Sequence, residues 1–279
     1  MLKSYLRKHL AQNHIAGSDL QSALRICELI SSKGWSTTIS LWAKQDEDKK
    51  SVAENYINII KAISKNNLNS YLSIKPSALK FDLRLFEFIA KNIYDNKIRI
   101  HFDSLSPDLA DRSLQYFEEV KSIYDNVGYT LPARWLRSFD DAEKISGMKI
   151  PVRIVKGQWQ DPDDFKNDVE TNFLKIINIL RNKSPMISIA THDTKLAMKA
   201  IDILKNSKSN FELEQFFSLP IIEKTIKSHY ENINTRVYIA YGKPYLPYNL
   251  KNINERPAMI TWFIFDLFGL KRRLHPGLK

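Results

Sequence analysis

The sequence is short of the residues that most often announce special chemistry. It has one cysteine, Cys27, and only eight glycines in 279 residues. A single thiol excludes an intrachain disulfide and any Cys-rich zinc site, and it suits a reducing compartment. The few glycines never form G-x-G-x-x-G, so the usual fingerprint of a dinucleotide-binding first turn is missing. Gly-x-Ser-x-Gly, His-x-His and His-Glu-x-x-His are absent as well, which leaves serine nucleophiles and histidine-rich metal sites without support. The longest apolar stretch, residues 259–270, is broken by Asp266 and falls far short of the ~20 residues of a membrane span. No linker or low-complexity tract divides the chain, so a single domain over residues 1–279 is expected.

What is present is enough for a folded core: 43% hydrophobic residues, 11% of the chain aromatic. The net charge of +11 suits nucleic acid or an anionic membrane surface, but the basic residues are scattered. Only Lys271-Arg272-Arg273 is dense, and nucleic-acid binding is not expected. Met1 to Gly17 carries Lys3, Arg7 and Lys8 and no acid; it faintly resembles a transit peptide and is read as a surface helix.

Short β-type runs alternate with helical patterns. Eight runs stand out: Trp35 to Leu41, Ser70 to Ile74, Ile98 to Asp103, Val127 to Leu131, Ile150 to Val155, Met186 to Thr191, Asn210 to Gln215 and Thr235 to Tyr241. Between them, Ser18-Asp-Leu-Gln21 reads as a capping box before a helix over Leu20 to Lys33, closed by Gly34. Ser106-Pro107 starts another, and Ser138 with Asp141 starts a third that Gly147 ends. Leu109, Leu114, Phe117 and Val120 form an apolar stripe at helical spacing. Eight strands alternating with helices predict an α/β fold, a (β/α)8 TIM-type barrel with an N-terminal helical extension. The alternative, an open doubly wound sheet, lacks its glycine-rich turn.

A barrel collects its chemistry at the C-terminal ends of its strands. Those ends carry Lys75, Asp103, Arg134, Lys156-Gly157 and Thr191-His192-Asp193, with Arg153, Glu212, Glu214, Arg236, Tyr238 and Tyr241 within the strands. One such residue would mean little, since ion pairs across a barrel mouth are common. Ionisable or polar groups after nearly every strand favour a functional mouth. A metal is not expected.

In this order the residues resemble the proline dehydrogenase family of FAD-dependent (β/α)8 barrels. The resemblance is carried by Ile74-Lys75-Pro76-Ser77-Ala78-Leu79, His101-Phe102-Asp103, Val152-Arg153-Ile154-Val155-Lys156-Gly157, Ile189-Ala190-Thr191-His192 and Phe211-Glu212. It continues through Arg236 to Gly242, Pro247-Tyr248 and Glu255-Arg256-Pro257, so it spans roughly three quarters of the chain. It implies bound FAD across the mouth, with Arg153 beside the reactive ring as a cation that favours the reduced form. Val155, Lys156, Gly157, Thr191, His192, Asp193 and Glu255 would hold the rest of the cofactor. Lys75, Asp103, Tyr238 and Tyr248 would surround the substrate, with Trp159 standing where the family has an aromatic, usually tyrosine.

The departures bear on the substrate. Where the family grips a proline carboxylate with two consecutive arginines, this chain has Lys251-Asn252, and neither offers the planar two-pronged grip of a guanidinium. Pro132 replaces a glutamine near the flavin, and Ser218 replaces a glycine. Arg134, two residues beyond Pro132, either supplies the missing cation or is a solvated loop arginine. The resemblance thus implies hydride transfer from proline, a substituted or carrier-bound prolyl group or another cyclic amine, yielding an imine and passing electrons to a quinone. Lys271-Arg272-Arg273 beside Phe263, Phe265, Leu267 and Phe268 suits either peripheral contact with an anionic membrane or a plain last helix with a charged end. The expected location is cytoplasmic, extending to the inner face of a membrane. The competing reading is a non-catalytic relative that binds flavin or a partner.

Overall fold

Strand residues of this chain have two buried faces to fill, one apolar and one polar, and the alternation decides the architecture. The computed structural model describes residues 15–44, 46–164, 168–219 and 221–243. Eight parallel strands close a barrel in chain order: β1 (Ser36–Trp42), β2 (Ser70–Ile74), β3 (Ile100–Phe102), β4 (Val127–Pro132), β5 (Val152–Val155), β6 (Ile187–Ala190), β7 (Phe211–Phe216) and β8 (Thr235–Gly242). The closure pairs β1 with β8, with Thr38 opposite Tyr238. All eight expected strands are present, with ends shifted by no more than two residues.

The helices are α1 (Leu20–Ser31), α2 (Lys49–Lys65), α3 (Leu83–Ile93), α4 (Ala110–Ile123), α5 (Ser138–Ser146), α6 (Val169–Leu180), α7 (Thr194–Asn206) and the short α8 (Glu223–Lys227). Outward strand residues such as Ile39, Leu72, Phe102, Ile154, Leu213 and Val237 are fully buried in one apolar cluster with Ile60, Phe86, Phe117, Ile176 and Ile201 from the helices. Each such side chain stabilises the fold by roughly 1.5–3 kcal/mol relative to exposure. Leu114, Phe117 and Val120 are buried, while Leu109 is only half-buried. Cys27 is buried in α1, where burial pushes its thiol up to about 12. It is a packing residue.

Two helix starts differ from expectation. Asp19, not Ser18, caps α1 by accepting a bond from the Ser22 amide at 2.8 Å, because a carboxylate one residue nearer reaches the open N–H. Ser138 does not cap α5; its hydroxyl donates 2.7 Å to the Pro132 carbonyl and ties the helix to the end of β4. Ser106 leads into a 3-10 turn, Pro107–Leu109, before α4 begins. Of the surface helix expected over Met1 to Gly17, residues 1–14 lie outside the described residues and residues 15–17 are not helical.

Candidate active site at the barrel mouth

The inward faces of the strands are polar from bottom to top, and their hydrogen bonds sort them into two linked layers. In the lower layer Arg236 Nε meets both oxygens of Glu212 at 2.9 and 3.0 Å, and Ser188 donates 2.7 Å to the same carboxylate. Burial pushes Glu212 up, but Arg236 and Arg99 outweigh it and hold the carboxyl below its usual value. The guanidiniums of Arg99 and Arg236 stand 3.8 and 4.4 Å from the centroid of the Tyr71 ring. His101 sits 5.5 Å from the same ring, centroid to centroid, with Nε2 3.1 Å from the Thr130 hydroxyl. Gly128 makes room for it: a Cβ there would stand 2.4 Å from His101 Nδ1. Burial, reinforced by Arg153, Arg99 and Arg236, depresses His101 well below the usual histidine range, so it is neutral.

Above this layer Asp103 gathers four donors. Its Oδ1 accepts from Ser73 Oγ at 2.6 Å and Arg153 Nη1 at 2.8 Å; its Oδ2 accepts from Tyr238 Oη at 2.7 Å and Lys75 Nζ at 3.0 Å. Burial raises the carboxyl's pKa, but Lys75 and Arg153 more than reverse this, so Asp103 stays ionised. Tyr238 is pushed upward by burial and by Asp103, which keeps its phenol protonated as a donor. Lys75 also donates to Ser40 at 3.2 Å and lies 5.9 Å from the Trp42 ring centroid. Trp42, Phe216 and Tyr238 stack in series, at 6.2 and 5.5 Å between centroids. The structure therefore brings Lys75, Asp103, Tyr238 and Arg153 into one cluster.

Arg153 lies deeper in that cluster than the other three, with 4% of its side chain exposed. Besides Asp103 it is bound by Glu214, Nε to Oε2 at 2.8 Å, and by the Tyr71 hydroxyl at 3.1 Å. Burial opposes its charge, and Glu214 with Asp103 offsets that opposition, so the guanidinium remains protonated. The sequence places Glu214 within a strand and assigns it no role. Period-two alternation from Phe216 back through Glu214 to Glu212 was the signal that puts it inside.

The β5–β6 side of the rim has a different chemistry. Lys156 Nζ meets Asp193 at 2.9 Å and keeps 36% of its side chain exposed; Asp193 caps α7 through the Leu196 amide. Thr191 accepts the Asp193 amide through its hydroxyl and the Gln215 side chain through its carbonyl, and His192 Nε2 accepts the Phe216 amide at 2.8 Å. Gly157 has φ +90°, and a Cβ there would come within 2.9 Å of Pro132, so only glycine fits. Val155, half-buried, ends β5 just before this pair. An ammonium beside a helix N-terminus is the donor set that phosphate oxygens take.

Arg134 braces this rim. Its Nε donates 3.2 Å to the Gly157 carbonyl and its Nη1 3.2 Å to Gln160, while Trp135 Nε1 holds the Trp159 carbonyl at 3.0 Å. Trp159 itself is half-exposed. Tyr241 faces the apolar layer, not the mouth. Tyr248, Lys251, Asn252, Glu255 and the Lys271-Arg272-Arg273 run lie outside the described residues.

No family model matches the sequence. The chain is 25% identical over 278 residues to proline dehydrogenase 1 of Bacillus subtilis strain 168, covering 92% of this chain and 90% of that protein. It is 24% identical to proline dehydrogenase 2 of the same strain, covering 94% and 91%, and 24% identical to the Deinococcus radiodurans proline dehydrogenase, covering 92% and 89%. Among solved structures, proline utilization A from Bdellovibrio bacteriovorus, inactivated by N-propargylglycine, superposes with a TM-score of 0.71 at 14% identity over 95% of this chain. A Bradyrhizobium japonicum proline utilization A variant gives 0.68 at 17% identity over 82%. At such identities these two likenesses show the fold, and this chain spans 32% and 29% of their lengths.

Proposed function

The chain is a divergent member of the proline dehydrogenase family, and from that premise we propose that it oxidises proline or a related cyclic amine at the barrel mouth, with FAD as its cofactor. The enzyme class, an oxidoreductase of the proline dehydrogenase type, follows from the relatives. The observation that carries the finer reading is Asp103, ionised and shared by Lys75, Tyr238 and Arg153 where strands β2, β3, β5 and β8 converge.

Bound FAD would accept a hydride from the carbon beside the ring nitrogen, leaving an imine. Lys156, Gly157, Thr191 and the N-terminus of α7 fit its phosphate side in donor chemistry, and Arg153 its ring side. Lys75 offers the substrate carboxylate an ammonium that Asp103 and Ser40 hold in place. Asp103 is too heavily bonded and too acidic to act as a base. Its role is to fix Lys75 and the Tyr238 hydroxyl. The wall of Trp42, Phe216 and Tyr238 packs the ring methylenes and keeps water from the amine, which favours its unprotonated form. A quinone is the acceptor the family resemblance favours. Among the described residues no helix is long and apolar enough to cross a membrane.

The test is the visible spectrum of the purified protein, followed by anaerobic addition of L-proline, proline esters and cyclic amines. Flavin that bleaches with proline supports the ordinary substrate, with Lys75 and the Lys251-Asn252 region as carboxylate contacts. Bleaching only with esters or larger amines supports a shifted substrate. Protein that takes up no FAD overturns the proposal. Bound flavin that no amine reduces favours the non-catalytic reading, which Pro132, lacking a side-chain donor, keeps in play.

A further inference from the structure

Beneath the mouth, Lys75 and Arg153 meet Asp103 and Glu214, two cations against two carboxylates in one bonded cluster. This upper cluster is therefore formally neutral by itself, while Arg99 and Arg236 against Glu212 leave the layer beneath it one positive charge. Glu214 is the member farthest from solvent, with 2% of its side chain exposed. It reaches the mouth only through others: Oε2 accepts from Arg153 Nε at 2.8 Å and Tyr71 Oη at 3.2 Å, and Oε1 from Thr38 Oγ1 at 2.9 Å. Its three donors come from β5, β2 and β1, so the carboxylate is fixed in place from three sides.

We infer that Glu214 is a positioning residue that sets the electrostatic potential of the site, cancelling the charge of Arg153 so that the upper cluster adds no net cation beneath whatever is bound above it. Asp103 alone would balance only one of the two cations. With Glu214 in place, Arg153 orients groups through its N–H bonds while its field is largely compensated. Two consequences follow. A flavin above the floor is held at a lower reduction potential than an uncompensated arginine would give, because reduction adds negative charge there. A substrate carboxylate is held by Lys75 locally and gains little from the deeper guanidinium. That restrains binding of simple anions and leaves selectivity to the direct contacts.

This rests on the reading above for what occupies the mouth, and the experiment separates the two. Glu214→Gln, Arg153→Met and the double variant set the upper cluster to +1, −1 and 0. Two readouts are taken: the midpoint potential of the bound flavin, and the dissociation constant of cyclopentanecarboxylate, followed by tryptophan emission with and without added FAD. Glu214→Gln is expected to tighten the carboxylate on the order of tenfold, as one buried charge does at an effective dielectric near ~20. It is expected to raise the potential by about 30 mV, the equivalent of tenfold in a two-electron equilibrium. Arg153→Met shifts both the other way, and the double variant returns close to wild type. A merely structural Glu214 would make the double variant worse than either single one, which overturns the inference, as would a Glu214→Gln protein with both readouts unchanged. Should Glu214→Gln alone not fold, the double variant against Arg153→Met gives the same comparison, 0 against −1. A wild type that takes up no FAD overturns the proposed function, while the carboxylate titration still decides the charge balance.

Discussion

Asp103 has four donors and no spare capacity, so its replacement tests the cluster most directly. Asp103→Asn leaves Lys75 and Arg153 facing an amide and removes half of the negative charge that balances them. Breaking a buried pair from one side costs about 3–5 kcal/mol, a range to be discounted somewhat for the partial exposure of Lys75. Anaerobic flavin reduction by substrate should slow as well, because Lys75 and the Tyr238 hydroxyl lose the carboxylate that fixes them. The rate and the urea midpoint should fall together. Tyr238→Phe is milder: it deletes one hydroxyl bonded to the ionised Asp103, worth about 1.5–3 kcal/mol, and should raise KM more than it lowers kcat. His101 gives a prediction in pH. Its folded pKa is depressed below the unfolded value near ~6.5, so on acidification the unfolded chain takes up a proton that the folded one refuses. Stability should therefore drop below pH ~6.5 by about 1.4 kcal/mol per pH unit, and His101→Gln should remove that slope from urea midpoints measured between pH 5 and 7.

At the level of elements, the strand-end loops are locked to one another. The loop after β4 holds the loop after β5 through Arg134 to Gly157 and Gln160, Trp135 to Trp159, and the Leu136 amide to Asp161 at 2.7 Å. Gln215 joins the β6 and β7 ends, donating to Thr191 at 2.6 Å and accepting from the Ile222 amide at 3.0 Å. Arg134→Ala should leave the melting temperature nearly unchanged and expose residues 157–164 to limited proteolysis, because it frees a loop without opening the core. Gly157→Ala should be more damaging, combining a positive φ with a Cβ driven into Pro132. The expected readout is weakened FAD uptake in a protein whose far-UV circular dichroism is unchanged.

Among the described residues a cluster of buried ion pairs fills the barrel, and the apolar core lies between barrel and helices. Acid should exploit that arrangement. Asp103 and Glu212 are held below the ordinary carboxylate range, so their contribution is fully present above pH ~4 and lost as pH falls through their depressed values. A protein carrying both Asp103→Asn and Glu212→Gln should start less stable at neutral pH and show a shallower loss below pH 4 in denaturant titrations. The barrel, its strand order and most of the rim were legible in one dimension, because alternation of apolar strand faces with amphipathic helices has few packed solutions. Lys75, Asp103, Tyr238 and Arg153 were legible too, as ionisable groups at strand ends in a family's order. Tyr71, Thr38 and Phe216 were not, and Glu214 was legible as an inward carboxylate but not as the partner of Arg153, since such meaning depends on which side chain across the barrel each one meets. Arg134 illustrates the limit: sequence placed it beside the mouth, and only the fold gave its guanidinium the Gly157 carbonyl and Gln160 as partners. Periodicity along a strand is a local property and fixes which face a residue takes. Charge compensation across a closed barrel depends on pairs distant in sequence, such as Lys75 with Asp103, 28 positions apart, and Arg153 with Glu214, 61 apart, and tertiary closure alone brings them within bonding distance.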